Sequence, residues 1–164
     1  MPIQTTNVTD LPSVPAVYAM YGGQGRSQYV AYVGLGTKLR GRIEQHLVRR
    51  DSSVTTGVSA VSQNPDFVTQ VRWWQHPDFE KQDLLEAAEL VAFDVLEPSL
   101  RSRGGITDRA KQVYADQGFQ ERMRALFDGE PAGLLTIPTL AVALEQIAER
   151  RRRVEALENR LTGG

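Results

Sequence analysis

The stretch that decides the fold is VPAVYAMYGGQGRSQYVAYVGLGTKLRGRIEQHL, residues 14–47. Two runs rich in Val, Tyr and Ala, at 16–21 and 28–33, flank GGQGRS, a composition suited to a turn. This predicts an antiparallel hairpin whose loop is longer than the favoured two-residue turn. Gly34, Leu35 and Gly36 end its second strand. Thr37 is placed to N-cap a helix. Leu39, Ile43, His46 and Leu47 follow at spacings of three and four and so share one face of it. Arg42 and His46, four apart, also project together.

Working outward, residues 1–13 are polar, hold Pro2 and Pro12, and read as a lead-in segment. Residues 51–65 read as a polar connection. FVTQVRWWQ at 67–75 suits a third strand by its β-branched and aromatic content. Pro77 and Asp78 signal a helix start. An apolar stripe from Leu84 through Leu85, Ala88, Val91, Ala92, Val95 and Leu96 carries that helix to Pro98, which stops it. SRGG at 102–105 breaks the chain, a helical pattern resumes at 108–127, and 128–138 reads as a linker.

From 139 to 161 the pattern changes. Leu140, Ile147, Val154 and Leu161 recur every seven residues, with Ala143 and Leu157 at intermediate positions and Arg150 interrupting. Two readings stand: a helix packing on its own domain, or a coiled-coil seam forming a homodimer through residues 139–161. The run ERRRR at 149–153 reads as a solvated face.

The chain has 164 residues, of which 41% are hydrophobic and 24% charged, the balance of a globular domain with a core. It has no cysteine, which excludes disulfides and thiolate zinc sites and fits a reducing, cytoplasmic location. No stretch reads as a signal peptide or approaches the length of a membrane span, so no membrane partner is expected. The net charge of -1 weighs against nucleic-acid binding driven by overall charge but leaves room for local patches.

Tyr18, Tyr32, Arg42 and His46 are each unremarkable alone. Together they match the needs of phosphodiester cleavage. A guanidinium, planar and always charged, can hold developing phosphate charge. A phenol can take a proton from water only when nearby cations or a metal favour the phenolate. A divalent metal needs a hard oxygen ligand. Among the acids at 78–97, Glu89 stands out because Ala87 and Ala88 precede it and LVAF follows. A carboxylate there costs free energy unless it is metal-bound or paired, for instance with Arg42 or Arg72.

These residues resemble the GIY-YIG nuclease domain, in particular the type at the N-terminus of the bacterial excision-repair nuclease subunit. The resemblance runs from about Leu11 to Arg101. GIY reads Ala16-Val17-Tyr18 and YIG reads Tyr32-Val33-Gly34. The family's Arg falls at Arg42, its His or Tyr at His46, and its metal-binding Glu at Glu89, nine residues before Pro98. The chain departs from the pattern at Ala16 for Gly, at Leu35, and at Arg101 where many members carry Asn.

The resemblance implies an α/β (α+β) fold: a small three-stranded antiparallel sheet flanked by helices, over 14–101. To this the sequence adds a helical extension and linker at 102–138 and an amphipathic helix at 139–164. It also implies a Mg²⁺- or Mn²⁺-dependent DNA endonuclease making one nick per site. Tyr18 and Tyr32 would activate water, Arg42 bind the scissile phosphate, His46 assist proton transfer and Glu89 hold the metal. Lys38, Arg40, Arg72 and Arg101 are the expected DNA phosphate contacts. The competing readings are a catalytically inactive binding module on the same fold, and an interaction protein whose tail helix is its main function.

Overall fold

A computed structural model describes residues 2–23, 25–48, 68–99, 106–137 and 140–163. The connection read at 51–65 and Arg101 lie outside the described residues.

The expected hairpin is β2 (Ala16–Gly22) against β3 (Tyr29–Gly36), and the expected third strand is β4 (Val68–Trp74) on the other side of β2. Gly23 and Gly25 turn the hairpin at φ 73° and 57°, in the left-handed region that glycine enters without a Cβ clash. Every residue of β2 is buried. A strand covered on both faces reads as a continuous apolar run, which is what AVYAMYG is.

The sheet has five strands rather than three. Its order is β1-β5-β4-β2-β3, where β1 is Ile3–Thr5 and β5 is Gly133–Thr136. β5 runs antiparallel to β4, and β1 pairs with β5 in parallel. Both added strands fall in segments read from sequence as a lead-in and a linker. They are three and four residues long, too short to show a period, and their pairing joins residues about 130 positions apart. β5 is fastened to β4 at both ends, by Ala132 N donating to Trp73 O at 2.8 Å and Ile137 N to Thr69 O at 2.9 Å.

Two cores cover the two faces of the sheet. On one face, Val17, Ala19, Tyr21, Val33 and Trp74 pack against α2 (Gln82–Leu96) and α4 (Gln117–Asp128), through Leu85, Ala88, Val91, Ala92, Phe119, Met123 and Phe127. On the other, Ala16, Tyr18, Met20, Tyr32, Val71, Trp73 and Leu135 pack against Leu11 and against Leu39 and Ile43 of α1 (Leu39–Ile43). The lead-in supplies Leu11 and the extension supplies α4 and Leu135, so both are built into these cores.

Three helix ends differ from the sequence reading. The N-cap of α1 is Lys38, which makes no capping side-chain bond, rather than Thr37. The helix read from Pro77 begins as a separate 3₁₀ turn, Pro77–Glu80, with His76 Nδ1 accepting from Asp78 N, before α2 starts at Gln82. The pattern at 108–127 is two helices, α3 (Asp108–Ala115) and α4, split at Asp116. The Asp116 carboxylate accepts from Phe119 N at 2.8 Å and caps the second helix, a local bond that competes with helix continuation. At the far end of α2, Glu97 turns left-handed at φ 48° ahead of Pro98, and Ser99 N donates to Val30 O of β3 at 2.9 Å. α5 (Leu140–Thr162) closes the chain.

Gly133 sets how closely β5 approaches β4. A Cβ there would lie inside the indole of Trp73, and that indole is itself buried. Gly133→Ala must therefore displace Trp73 or the strand, at a cost of about 1–3 kcal/mol. Urea denaturation should show a lower midpoint with an unchanged slope; an unchanged midpoint would show that the contact does not hold β5.

Candidate active site

Register alone sets the two tyrosines side by side. In the β2–β3 ladder Tyr18 faces Gly34 and Met20 faces Tyr32, so both phenols leave the same face of the sheet. The Tyr18 ring lies across β3 where Gly34 offers no side chain. A Cβ at Gly34 would come within 2.6 Å of the Tyr18 hydroxyl and 2.8 Å of the Tyr32 ring. This gives the glycine of Tyr32-Val33-Gly34 a physical reason.

Helix geometry brings the other partners. After α1 the chain continues as a π-helical turn, Glu44–Val48, that carries His46. Such turns shift the phase of a helix and often mark functional sites. His46 is 0% exposed, and its Nε2 lies 2.6 Å from the Tyr18 hydroxyl. The three ring centroids form a near-equilateral triangle: Tyr18–Tyr32 6.2 Å, Tyr18–His46 5.8 Å and Tyr32–His46 5.7 Å. Arg42, half-buried, packs its Cβ over Gly36 and donates from Nη1 to Gln45 Oε1 at 2.7 Å.

The electrostatics follow from burial and one cation. Burial pushes the Tyr18 phenol well above its usual pKa, with Tyr32 adding to the rise and Arg42 opposing it. Burial first, then Arg42, lowers His46 from 6.5 to about 3, so its imidazole is neutral. For Arg42 burial favours deprotonation, but the phenols of Tyr18 and Tyr32 outweigh it and the net shift is upward. With Arg42 facing the Tyr18 oxygen and the imidazole neutral, the phenol proton is directed to His46 Nε2.

Glu89 comes from α2, in the layer on the opposite face of the sheet. Its carboxyl is raised from 4.5 to about 7, by burial first and then by Glu86, with Arg42 pulling the other way. It makes no hydrogen bond or ion pair among the described residues, so neither the Arg42 nor the Arg72 salt bridge considered from sequence is formed there. Glu89 also acts on the Tyr18 phenol, which ties it electrostatically to the tyrosine cluster.

The cationic positions divide. Lys38 joins Arg42 in lining a cleft of about 410 Å³, together with Leu35, Gly36, Thr37, Gly41 and Gln45. Arg40 is exposed but its Nε donates to Leu11 O at 2.7 Å, which ties it to the lead-in. Arg72 lies on the α2 face, its guanidinium 4.3 Å over the Tyr21 ring and bonded to Gln70 and Gln28. It is therefore not grouped with Arg42.

Sequence reasoning passed over Gln45, and held Glu86 only as one of the candidate acids at 78–97 without linking it to Glu89. Both were within reach of the i,i+3 rule: Gln45 stands three after Arg42 and Glu86 three before Glu89. Glu86 accepts from Thr107 Oγ1 at 3.1 Å and is the second cause of the Glu89 shift.

Glu89 and His46 act on stability in opposite senses. Between pH 4.5 and 7 the folded chain holds a proton on Glu89 that the unfolded chain releases, so stability falls as pH rises through that window. Between pH 6.5 and 3 the unfolded chain protonates His46 and the folded chain does not, so stability falls as pH drops. The two slopes oppose each other where the windows overlap. Glu89→Gln removes only the first, and should stabilise the protein by about 1–3 kcal/mol at pH 8 with little effect at pH 4. Chemical denaturation at both values checks this; a pH-independent difference would count against a carboxyl whose pKa is raised in the folded chain.

Compared with models of protein families, with curated proteins and with solved structures, the chain matches none.

Proposed function

We propose that this chain is a metal-dependent endonuclease that hydrolyses DNA phosphodiester bonds with one nick per active site. One observation carries the reading: Tyr18, Tyr32, Arg42 and His46, from two strands and a helix, converge in one cluster beside an open cleft. Those four, with Glu89, are the positions that match a GIY-YIG-type site.

The donor set fits Mg²⁺ or Mn²⁺ shared with a substrate. Among the described residues no three His, Cys, Asp or Glu side chains group to hold an ion. Magnesium, however, is commonly held by one or two carboxylates plus substrate phosphate rather than by an all-protein cage. Glu89 is the carboxylate available, and a cation beside it would oppose the burial that raises its pKa. When bound, the ion would neutralise phosphate oxygens and stabilise the leaving oxygen.

The chain's own residues supply the rest. Arg42, at the cleft, holds the scissile phosphate, and Lys38 and Arg40 take flanking phosphates. Arg72 lies on the α2 face, the side from which Glu89 comes, with its guanidinium engaged by Tyr21, Gln70 and Gln28. Tyr18 has the proton path. Its oxygen accepts a proton from the attacking water as its own proton passes 2.6 Å to His46 Nε2, leaving hydroxide and an imidazolium. Arg42 lowers the basicity of His46; a phosphate on Arg42 offsets that charge and makes the imidazole a better acceptor.

A second reading is favoured by one fact. Tyr18 and His46 are both 0% exposed, as expected of a catalytically inactive GIY-YIG-fold module that binds nucleic acid or a partner. Plasmid nicking in Mg²⁺ separates the two. The nuclease reading expects relaxed circles from the wild type, and a rate lowered at least about 100-fold in Arg42→Ala, Glu89→Ala and Tyr18→Phe. DNA binding without cleavage in either Mg²⁺ or Mn²⁺ would assign the chain to the module.

A further inference from the structure

We propose that α5 pairs with the α5 of a second copy of this chain as a parallel two-stranded coiled coil. The inference is independent of the nuclease reading. It starts from an unpartnered stripe on a 23-residue helix about 34 Å long. Every described side chain from Ile147 to Gly163 is exposed, so this part of the helix does not pack on its own domain. The apolar side chains are among them: Ile147 is 55% exposed, Val154 53%, Leu157 57% and Leu161 85%. They fall at the a and d positions of a heptad, the spacing that keeps a seam facing a like partner over successive turns.

Charge chooses the partner and its direction. In a parallel pair, Arg153 at a g position meets Glu158 at the following e position of the other copy, once on each side. The antiparallel register that sets Ile147 against Leu157 brings Arg151 onto Arg151 and Arg153 onto Arg153. Sliding it one heptad toward the C-terminal end sets Arg153 against Arg160 and removes the Ile147 layer. Sliding it the other way leaves Leu161, the most exposed of the four, uncovered. The parallel pair in turn sets Arg150 against Arg150 at a d position of the seam. Each Arg150 stem can cover the seam while the guanidinium reaches water, and a single polar core residue fixes register at a cost in stability.

The test uses the full chain. Light scattering after size exclusion should give twice the 18.2 kDa of one chain, and Leu157→Asp, a change at an exposed side chain, should return it to one. The chain has no cysteine, so Leu161→Cys introduces a single thiol that within a dimer meets its counterpart only when two α5 helices run parallel and in register, and cross-linking should be lost when Leu157→Asp is added. A wild type at 18.2 kDa overturns the proposal. So does a dimer insensitive to Leu157→Asp, or a dimer in which Leu161→Cys does not cross-link.

Discussion

The Tyr18–His46 contact is the constraint around which the rest is arranged. A phenol and an imidazole, both fully buried, meet at 2.6 Å between the sheet and the helical segment after β3. Leaving either group unpaired in that interior would cost about 1–3 kcal/mol. The pairing therefore fixes where that segment sits. It needs Gly34 flat beneath the Tyr18 ring, Tyr32 two residues before it on the same face, and a π-helical turn to aim His46. Leu39 and Ile43 bury the same helical face, and Leu39 N, Arg40 N and Arg40 Nε fasten the start of the helix to carbonyls of Val14, Pro12 and Leu11.

Charge is distributed around that contact with little compensation. Arg42 is the cation that acts on Tyr18, Tyr32, His46 and Glu89, and burial opposes ionisation at Tyr18, His46 and Glu89. Apolar side chains of the same volume would avoid these desolvation costs. Here a neutral imidazole, a protonated phenol and a carboxyl with a raised pKa surround a half-buried guanidinium. Perturbed values of this kind cluster at functional sites, but burial moves both Tyr18 and His46 away from neutral pH, so the nuclease reading needs a bound anion or metal to reverse those shifts before either group can move a proton.

The hairpin, the third strand and α2 were legible because each shows its own period or composition within ten to twenty residues. Tyr18, Tyr32, Arg42 and His46 were legible because all four lie within one such stretch, where strand register and helix spacing carry them together. β1 and β5 were not, since their hydrogen bonds are long-range and neither segment is long enough to alternate. The break at Asp116 was missed because a cap inside an otherwise helical run looks polar and harmless until its carboxylate is seen on Phe119 N. Strand alternation sets Arg72 on the face opposite Val71 and Trp73, which line the tyrosine side, a separation from Arg42 that the register of FVTQVRWWQ already carries.

Access is the remaining physical question for the site, and the structure gives it a direction. Of the five residues in the set, Arg42 alone lines the cleft. An anion arriving there meets the guanidinium first, beside Gln45 and Lys38, before it can approach either phenol. Drawing Arg42 outward would uncouple it from Tyr18 and His46 together, since the same cation bears on both. Substrate binding and the readying of the proton acceptor would then be one event. In the nuclease reading Arg42 is then both the phosphate ligand and the cation that holds down the basicity of His46.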